Sequence, residues 1–369
     1  MTHPDDLFSP LDEPLLQRAL ALLDDEWLSR DADLAPVLPV VLARGVGQDW
    51  HKAGTFRHHL VGVARSLTLW GQPREVRLLG LLHSVYGNAF VDLVKFDAAS
   101  ERQRLQQLVG EPAEHLVHLF CTMNRGQFVQ RLLAGQAQGD GSLRVELNGP
   151  APRREVLLSA YEVAAFAVVS MADTIEQWFS WQDEVFSRFP ATDTTRRQTV
   201  HWAASLWPGP MRPTARMLSQ VAALGRALQQ HPPLAGQLPL PPVFAGCSAP
   251  LAPADEAAAC ALYWSVVQLD QPLVDLDGAT GALEQAVRLN PWVGEPQMVL
   301  AQLYLSAGRG EDAARAARGA LSQFCAWGNA WDKRVQWDAW IAWTRILLQS
   351  AEQGSWPERL DKLNNLALR

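Results

Sequence analysis

Three polar residues stand in this chain where apolar side chains are expected. His59 falls on the helical face of Val63, His83 ends a run marked by Val76 and Leu79, and Asp173 shares a face with Phe166 and Val169. Steps of three, four and seven residues turn all three side chains towards packed interior. Two imidazoles and a carboxylate are costly to bury unless they meet a partner, and a shared metal ion is the simplest one. His59, His83 and Asp173 are therefore candidate metal ligands. With open coordination positions, two histidines and one carboxylate suit mononuclear Fe(II) oxygen chemistry and also a zinc hydrolase. The expected cofactor is a divalent metal: Fe, Mn or Zn.

The neighbours of this set supply further candidates. His51, about two helical turns before His59, is a candidate acid–base group or fourth ligand. Ser84 and Tyr86 follow His83 closely enough to hydrogen-bond a bound ligand or water. His51, Ser84 and Tyr86 thus form the candidate catalytic group, while Lys52, Arg57 and Arg125 are candidate contacts for a phosphate or carboxylate. Each residue also has a plainer role. A histidine on an apolar face is commonly a satisfied core residue, and Ser84 can cap a helix end. Tyr86-Gly87 reads as a helix stop with Gly87 at positive φ. Asp173 and Glu176 can form a structural ion pair with Arg57 or Arg65. His115 and His118, after Glu111 and Glu114, lack the His-Glu-x-x-His order and read as a solvated face.

Helical periodicity positions these residues. Helices are predicted over 14–29, 55–71, 73–86, 99–109, 111–123, 151–182, 194–206 and 214–230, and the alternating segment 139–150 reads as a strand or short hairpin. The stretch 231–253 is rich in proline, which favours an extended, stiff connector. Beyond it lie further helices and a cluster of five tryptophans between Trp327 and Trp343. Their plainer role is core packing with bonded indole N–H groups; the alternative is an aromatic docking surface with Arg334 or Arg345 stacked on an indole.

Three resemblances sharpen these expectations. The runs Arg77-Leu78-Leu79-Gly80 and Leu81-Leu82-His83, between a helix bearing His59 and a later one bearing Asp173, resemble the HD-domain superfamily over about residues 45–185. That superfamily is helical and binds metal through His, His-Asp and Asp; here Ser84 replaces the doublet aspartate. His51, Thr55, His59-Leu60, Trp70-Gly71, Gly80 to Gly87 and Leu108 to Glu114 resemble an uncharacterised family, domain of unknown function 6817, which keeps His-Ser-x-Tyr-Gly at that place. The segment from Ala279 to Pro291, with Leu300, Ala301, Tyr304, Ala313 and Ala317 after it, resembles about one and a half tetratricopeptide repeats.

Composition bounds the function. The net charge of −7 over 369 residues disfavours a general nucleic-acid binder. Four scattered cysteines read as reduced thiols. No secretory signal or membrane-length apolar run is evident, so a cytoplasmic protein with no membrane and no nucleic-acid partner is expected. The combined expectation is an all-α chain. An HD-like domain would span 1–230, a linker 231–254, and a tetratricopeptide-like domain with a tryptophan-rich cap 255–369. The resemblance implies a metal-dependent enzyme for a small anionic substrate, with hydrolysis ranked first. A mononuclear or dinuclear non-heme iron oxygenase comes second. The competing class is a non-catalytic protein whose helical repeats bind a protein or peptide.

Overall fold

Helix periodicity carries through to the tertiary structure, a computed structural model. It describes residues 7–24, 26–51, 54–88, 93–149, 153–177, 217–247, 250–269 and 272–369. Among them are sixteen α-helices and two antiparallel two-stranded sheets, so the fold is all-α. In chain order come α1 (Glu13–Leu20), α2 (Trp27–Arg30), α3 (Leu38–Leu42), the small hairpin β1 (Trp50–His51) and β2 (Gly54–Thr55), α4 (Phe56–Leu69) and α5 (Arg74–Leu82). They are followed by α6 (Arg102–Val109), α7 (Glu111–Thr122), α8 (Arg125–Leu133), β3 (Leu143–Glu146), β4 (Glu155–Leu158) and α9 (Ala160–Gln177). The remainder comprises α10 (Met217–Gln230), α11 (Val243–Gly246), α12 (Pro253–Val267), α13 (Leu276–Leu289), α14 (Glu295–Ser306), α15 (Gly310–Trp327) and α16 (Trp337–Gln353), with a 3-10 turn over Leu360–Asn365. No helix among the described residues is long and apolar enough to cross a membrane.

Several elements differ from the sequence expectation. The helix over 14–29 is interrupted, because Asp24 turns its carboxylate onto the Glu26 amide (3.0 Å) and favours a local turn. The helix over 73–86 ends at Leu82, leaving His83 as its C-cap, and Gly87 takes φ +74 four residues on. The strand expected over 139–150 is β3, but its partner is β4, inside the segment expected to be helical from 151. The helix there starts only at Ala160; its expected portion beyond 177, and the helix over 194–206, lie outside the described residues. Helix α8 was not foreseen; Asn124 caps it through Gln127 N (3.0 Å).

The described residues form two compact units. One holds 21–177 and 220–241; the other holds 7–20, 217–219 and 242–369. The expected boundaries at 230 and 254 are not the boundaries of these units. Residues 231–241 fold back onto the first unit, burying Leu234 and receiving a bond from Gln72 Nε2 at Pro239 O (2.7 Å). Residues from Pro242 onward bury Val243, Phe244 and Leu251 in the second. Burial of apolar side chains thus outweighs the extended bias of the prolines.

The first unit carries the three candidate ligands. Helix α9 buries twelve of its eighteen residues, so it is apolar almost all round and runs through the interior of this unit. Helix α4 packs on α5 and α9, and α5 packs on α7 and α9. Close approach of α4 to α5 depends on Gly80: a Cβ there would stand 2.2 Å from Leu67 Cδ1, and Leu67 is itself fully buried. In the second unit α12 to α16 pack each on the next, with α1 and α11 against α15. Trp292, Trp327 and Trp331 are wholly buried. The indole N–H groups of Trp337 and Trp340 reach Phe324 O (2.9 Å) and Asp332 O (3.0 Å). Of the five clustered tryptophans, Trp327, Trp331, Trp337 and Trp340 are core residues of this unit and Trp343 is half-buried. Arg334 stacks on an indole, but on Trp264 of the same chain, at 4.4 Å.

Gly80→Ala is expected to cost about 1–3 kcal/mol in chemical denaturation, because the added methyl overpacks the α4–α5 contact. An unchanged denaturation midpoint would contradict the tight approach.

Candidate metal centre

His59 lies in the second turn of α4, His83 caps α5 and Asp173 lies one turn before the end of α9. Packing of the three helices brings their ligand atoms together, all within 4.8 Å of one another and all buried. His59 Nε2 is 3.0 Å from His83 Nε2 and 3.2 Å from Asp173 Oδ1, and His83 Nε2 is 3.6 Å from that same oxygen. Metal–ligand distances of about 2.0–2.2 Å place adjacent donors roughly 3–3.6 Å apart, so the three separations fit one first-row divalent ion. The donor set also fits: neutral imidazole and carboxylate suit Fe, Mn and Zn.

The outer nitrogens of both rings are held. His83 Nδ1 bonds Gly80 O (2.7 Å), and His59 Nδ1 bonds the Glu176 carboxylate. A fixed Nδ1–H selects the tautomer whose Nε2 lone pair faces the shared point. Glu176 reaches His59 across Gly62, where a Cβ would come within 2.9 Å of Glu176 Cγ. Asp173 is held on its far oxygen by Arg125, whose guanidinium also lies 4.4 Å above the Phe120 ring. Gln177 Nε2 donates to Asp173 Oδ1.

The charges follow from burial and these partners. Burial alone would lower the His59 pKa, but the Glu176 and Asp173 carboxylates outweigh it and hold the ring at about 9. Burial pushes His83 down to about 3, with the His59 and Arg125 charges acting in the same direction. Burial opposes ionisation of Asp173, yet Arg125 and the two histidines hold its carboxyl well below the ordinary range. In the metal-free state His59 is thus protonated and His83 neutral, and the His59 proton occupies the place of a cation.

The other candidates are distributed differently. His51 lies on β1 with its ring 4.6 Å from that of His59, so it adjoins the trio. Ser84 Oγ is buried and accepts from Asn88 Nδ2 (2.9 Å), which ties down the turn after α5. The Tyr86 hydroxyl donates to Glu114 Oε1 (2.9 Å), a fully buried carboxylate also bound by Arg102 and Gln106. Neither hydroxyl hydrogen-bonds a member of the trio. Glu114 is the centre of a buried ionic cluster; of the two histidines expected on a solvated face, His115 is exposed and His118 half-buried. Arg125, expected to meet substrate, is engaged by Asp173, and Glu176 pairs with His59. Arg57 lies half-buried in the first turn of α4. Lys52 lies outside the described residues. Sequence reasoning missed the supporting roles of Glu176, Gln177 and the Gly80 carbonyl. The one available signal was spacing, since Glu176 and Gln177 stand three and four residues after Asp173 on one helix.

The family described as a domain of unknown function (DUF6817) matches residues 40–125. That is less than a quarter of the 369 residues. The stretch includes His51, His59, His83, Ser84, Tyr86 and Arg125, and it ends before Asp173, Glu176 and Gln177. No curated protein and no solved structure matches the chain.

The two histidines set opposite pH limits. His59 binds its proton more tightly folded than unfolded, so its contribution is complete below pH ~6.5 and is lost as pH rises through about 9. His83 resists protonation when folded, so its contribution is complete above pH ~6.5 and is lost as pH falls towards about 3. Metal-free protein is expected to be most stable near pH ~6.5 and to lose about 3 kcal/mol on the alkaline side. Urea titrations from pH 5 to 10 measure this directly; a flat alkaline limb would refute a protonated His59.

Proposed function

We propose that the first unit is a metal-dependent hydrolase site of HD-like type, acting on a small anionic substrate. The observation that carries this reading is the convergence of two imidazole Nε2 atoms and one carboxylate oxygen, with both outer ring nitrogens already hydrogen-bonded. His59, His83 and Asp173 would hold the ion. A divalent metal there would supply Lewis-acid activation of water and of a substrate oxygen.

The chain's own groups do the rest. Replacing the His59 proton by a dication leaves the cluster more positive, even with Asp173 and Glu176 ionised, and this favours an anionic substrate. Arg125 contributes to that field through Asp173 rather than by touching substrate. Arg57 is left as the substrate-binding arginine. Asp173 is held ionised by several partners and makes a poor base, so His51, beside His59, is the better proton carrier. Ser84 is a positioning residue for the turn that presents His83. The four cysteines are buried and none is in a disulfide, which supports a reduced, cytoplasmic setting. The second unit, with its tetratricopeptide-like paired helices, would serve as a separate protein- or peptide-binding module.

The two-histidine, one-carboxylate composition also favours a second reading, a non-heme iron oxygenase. Metal analysis of the full-length protein purified without added metal separates the readings. Stoichiometric zinc or manganese with phosphoester hydrolysis is the expected result; iron with oxygen consumption would select the oxygenase. His59→Ala and Asp173→Ala should each remove bound metal. Fully folded wild type that takes up no first-row metal would overturn both readings and leave a non-catalytic interaction protein.

Two further outcomes are expected in the same preparation. Glu176→Gln should weaken metal binding about 10–100-fold by loosening His59. Calorimetry at pH 7 in buffers of different ionisation enthalpy should show about one proton released per metal bound.

A further inference from the structure

Gln177 stands four residues after Asp173 on the same face of α9 and is half-buried. Its Nε2 donates to Asp173 Oδ1 and lies 3.3 Å from His59 Nε2. The amide therefore touches two of the three candidate ligand atoms.

Among the described residues only the nitrogen end of the amide has partners in the cluster. An amide N–H2 group only donates, so a cation held between the ligand atoms would be repelled by it. The oxygen end of the same amide would be attracted. Amide N and O differ little in size, and the terminal torsion of a glutamine is broad and roughly two-fold, so exchange of the two ends costs little.

We propose that Gln177 is a fourth ligand of this site, its amide turning over on metal binding so that Oε1 replaces Nε2 beside His59 and Asp173. The inference rests on the metal-site reading and deepens it. A neutral carbonyl oxygen added to two imidazoles and a carboxylate gives two nitrogen and two oxygen donors, a set for Fe, Mn or Zn. It adds no charge, so the site keeps its positive balance for an anionic substrate.

The test uses the full-length chain, stripped of metal and titrated with Co(II), with visible absorption reporting coordination. Gln177→Leu should weaken Co(II) binding about tenfold and alter the spectrum, by analogy with the loss of other ligand-shell groups. Gln177→Glu should tighten it about tenfold, because a charged oxygen takes the ligand position. If Gln177 serves only to donate to Asp173, Gln177→Glu would set two carboxylates together and weaken binding at least as much as Gln177→Leu; that result overturns the inference. Both variants matching wild type in affinity and spectrum also overturns it. Wild type that binds Co(II) while Gln177→Glu fails to gain affinity sinks this inference alone. Wild type that binds no Co(II) sinks the metal-site reading with it.

Discussion

An imidazole aims a lone pair in a chosen direction only when its other nitrogen is held, and this fold holds both of its paired histidines. Gly80 O fixes His83 from within its own helix, while Glu176 fixes His59 from a different one. Everything around them serves that constraint. Gly80 lets α4 and α5 approach closely, and Gly62 leaves a path for Glu176 over α4. A helix apolar almost all round carries Asp173 into the interior, with Glu176 and Gln177 half-buried beside it. Removing any of these contacts would leave a buried polar group unpaired, which costs more than the contact itself contributes.

The same arrangement explains the charge state. Two carboxylates and an arginine surround two histidines in a place with little water, and the ring beside Glu176 keeps its proton while the other loses it. A proton and a divalent ion compete for the same nitrogens, so a cluster that holds one cation could hold the other in its place. Arg125 explains why Asp173 stays ionised at full burial. The pairing also gives that arginine, a substrate-binding candidate by its sequence position, a partner within the cluster.

The second unit uses buried polar groups for a different end. Glu295 is buried and caps the Trp331 and Asp332 amides, and burial raises its pKa to about 7. Asp332 is buried too, accepting from Tyr263 and pairing with Arg334. Tryptophans whose N–H groups find carbonyl partners fill the space between the helices, as their size and single donor favour. The indoles thus hold paired helices together.

Local pattern determined the helical class, the approximate extents of α4, α5, α6 and α7, and the inward direction of His59, His83 and Asp173. Each of these follows from spacing along one helix, which sequence states directly. The strand partner of β3 was hidden because a four-residue strand next to a helix start has no period of its own. The folding of residues 231–241 onto the first unit was hidden because proline composition describes local stiffness and says nothing about which surface buries Leu234. Only tertiary packing could decide that Arg125 meets Asp173, that Tyr86 meets Glu114, and that Glu176 and Gln177 complete the cluster. Those pairings join different helices or depend on which helix lies opposite, and side-chain spacing along a single chain does not encode that distance.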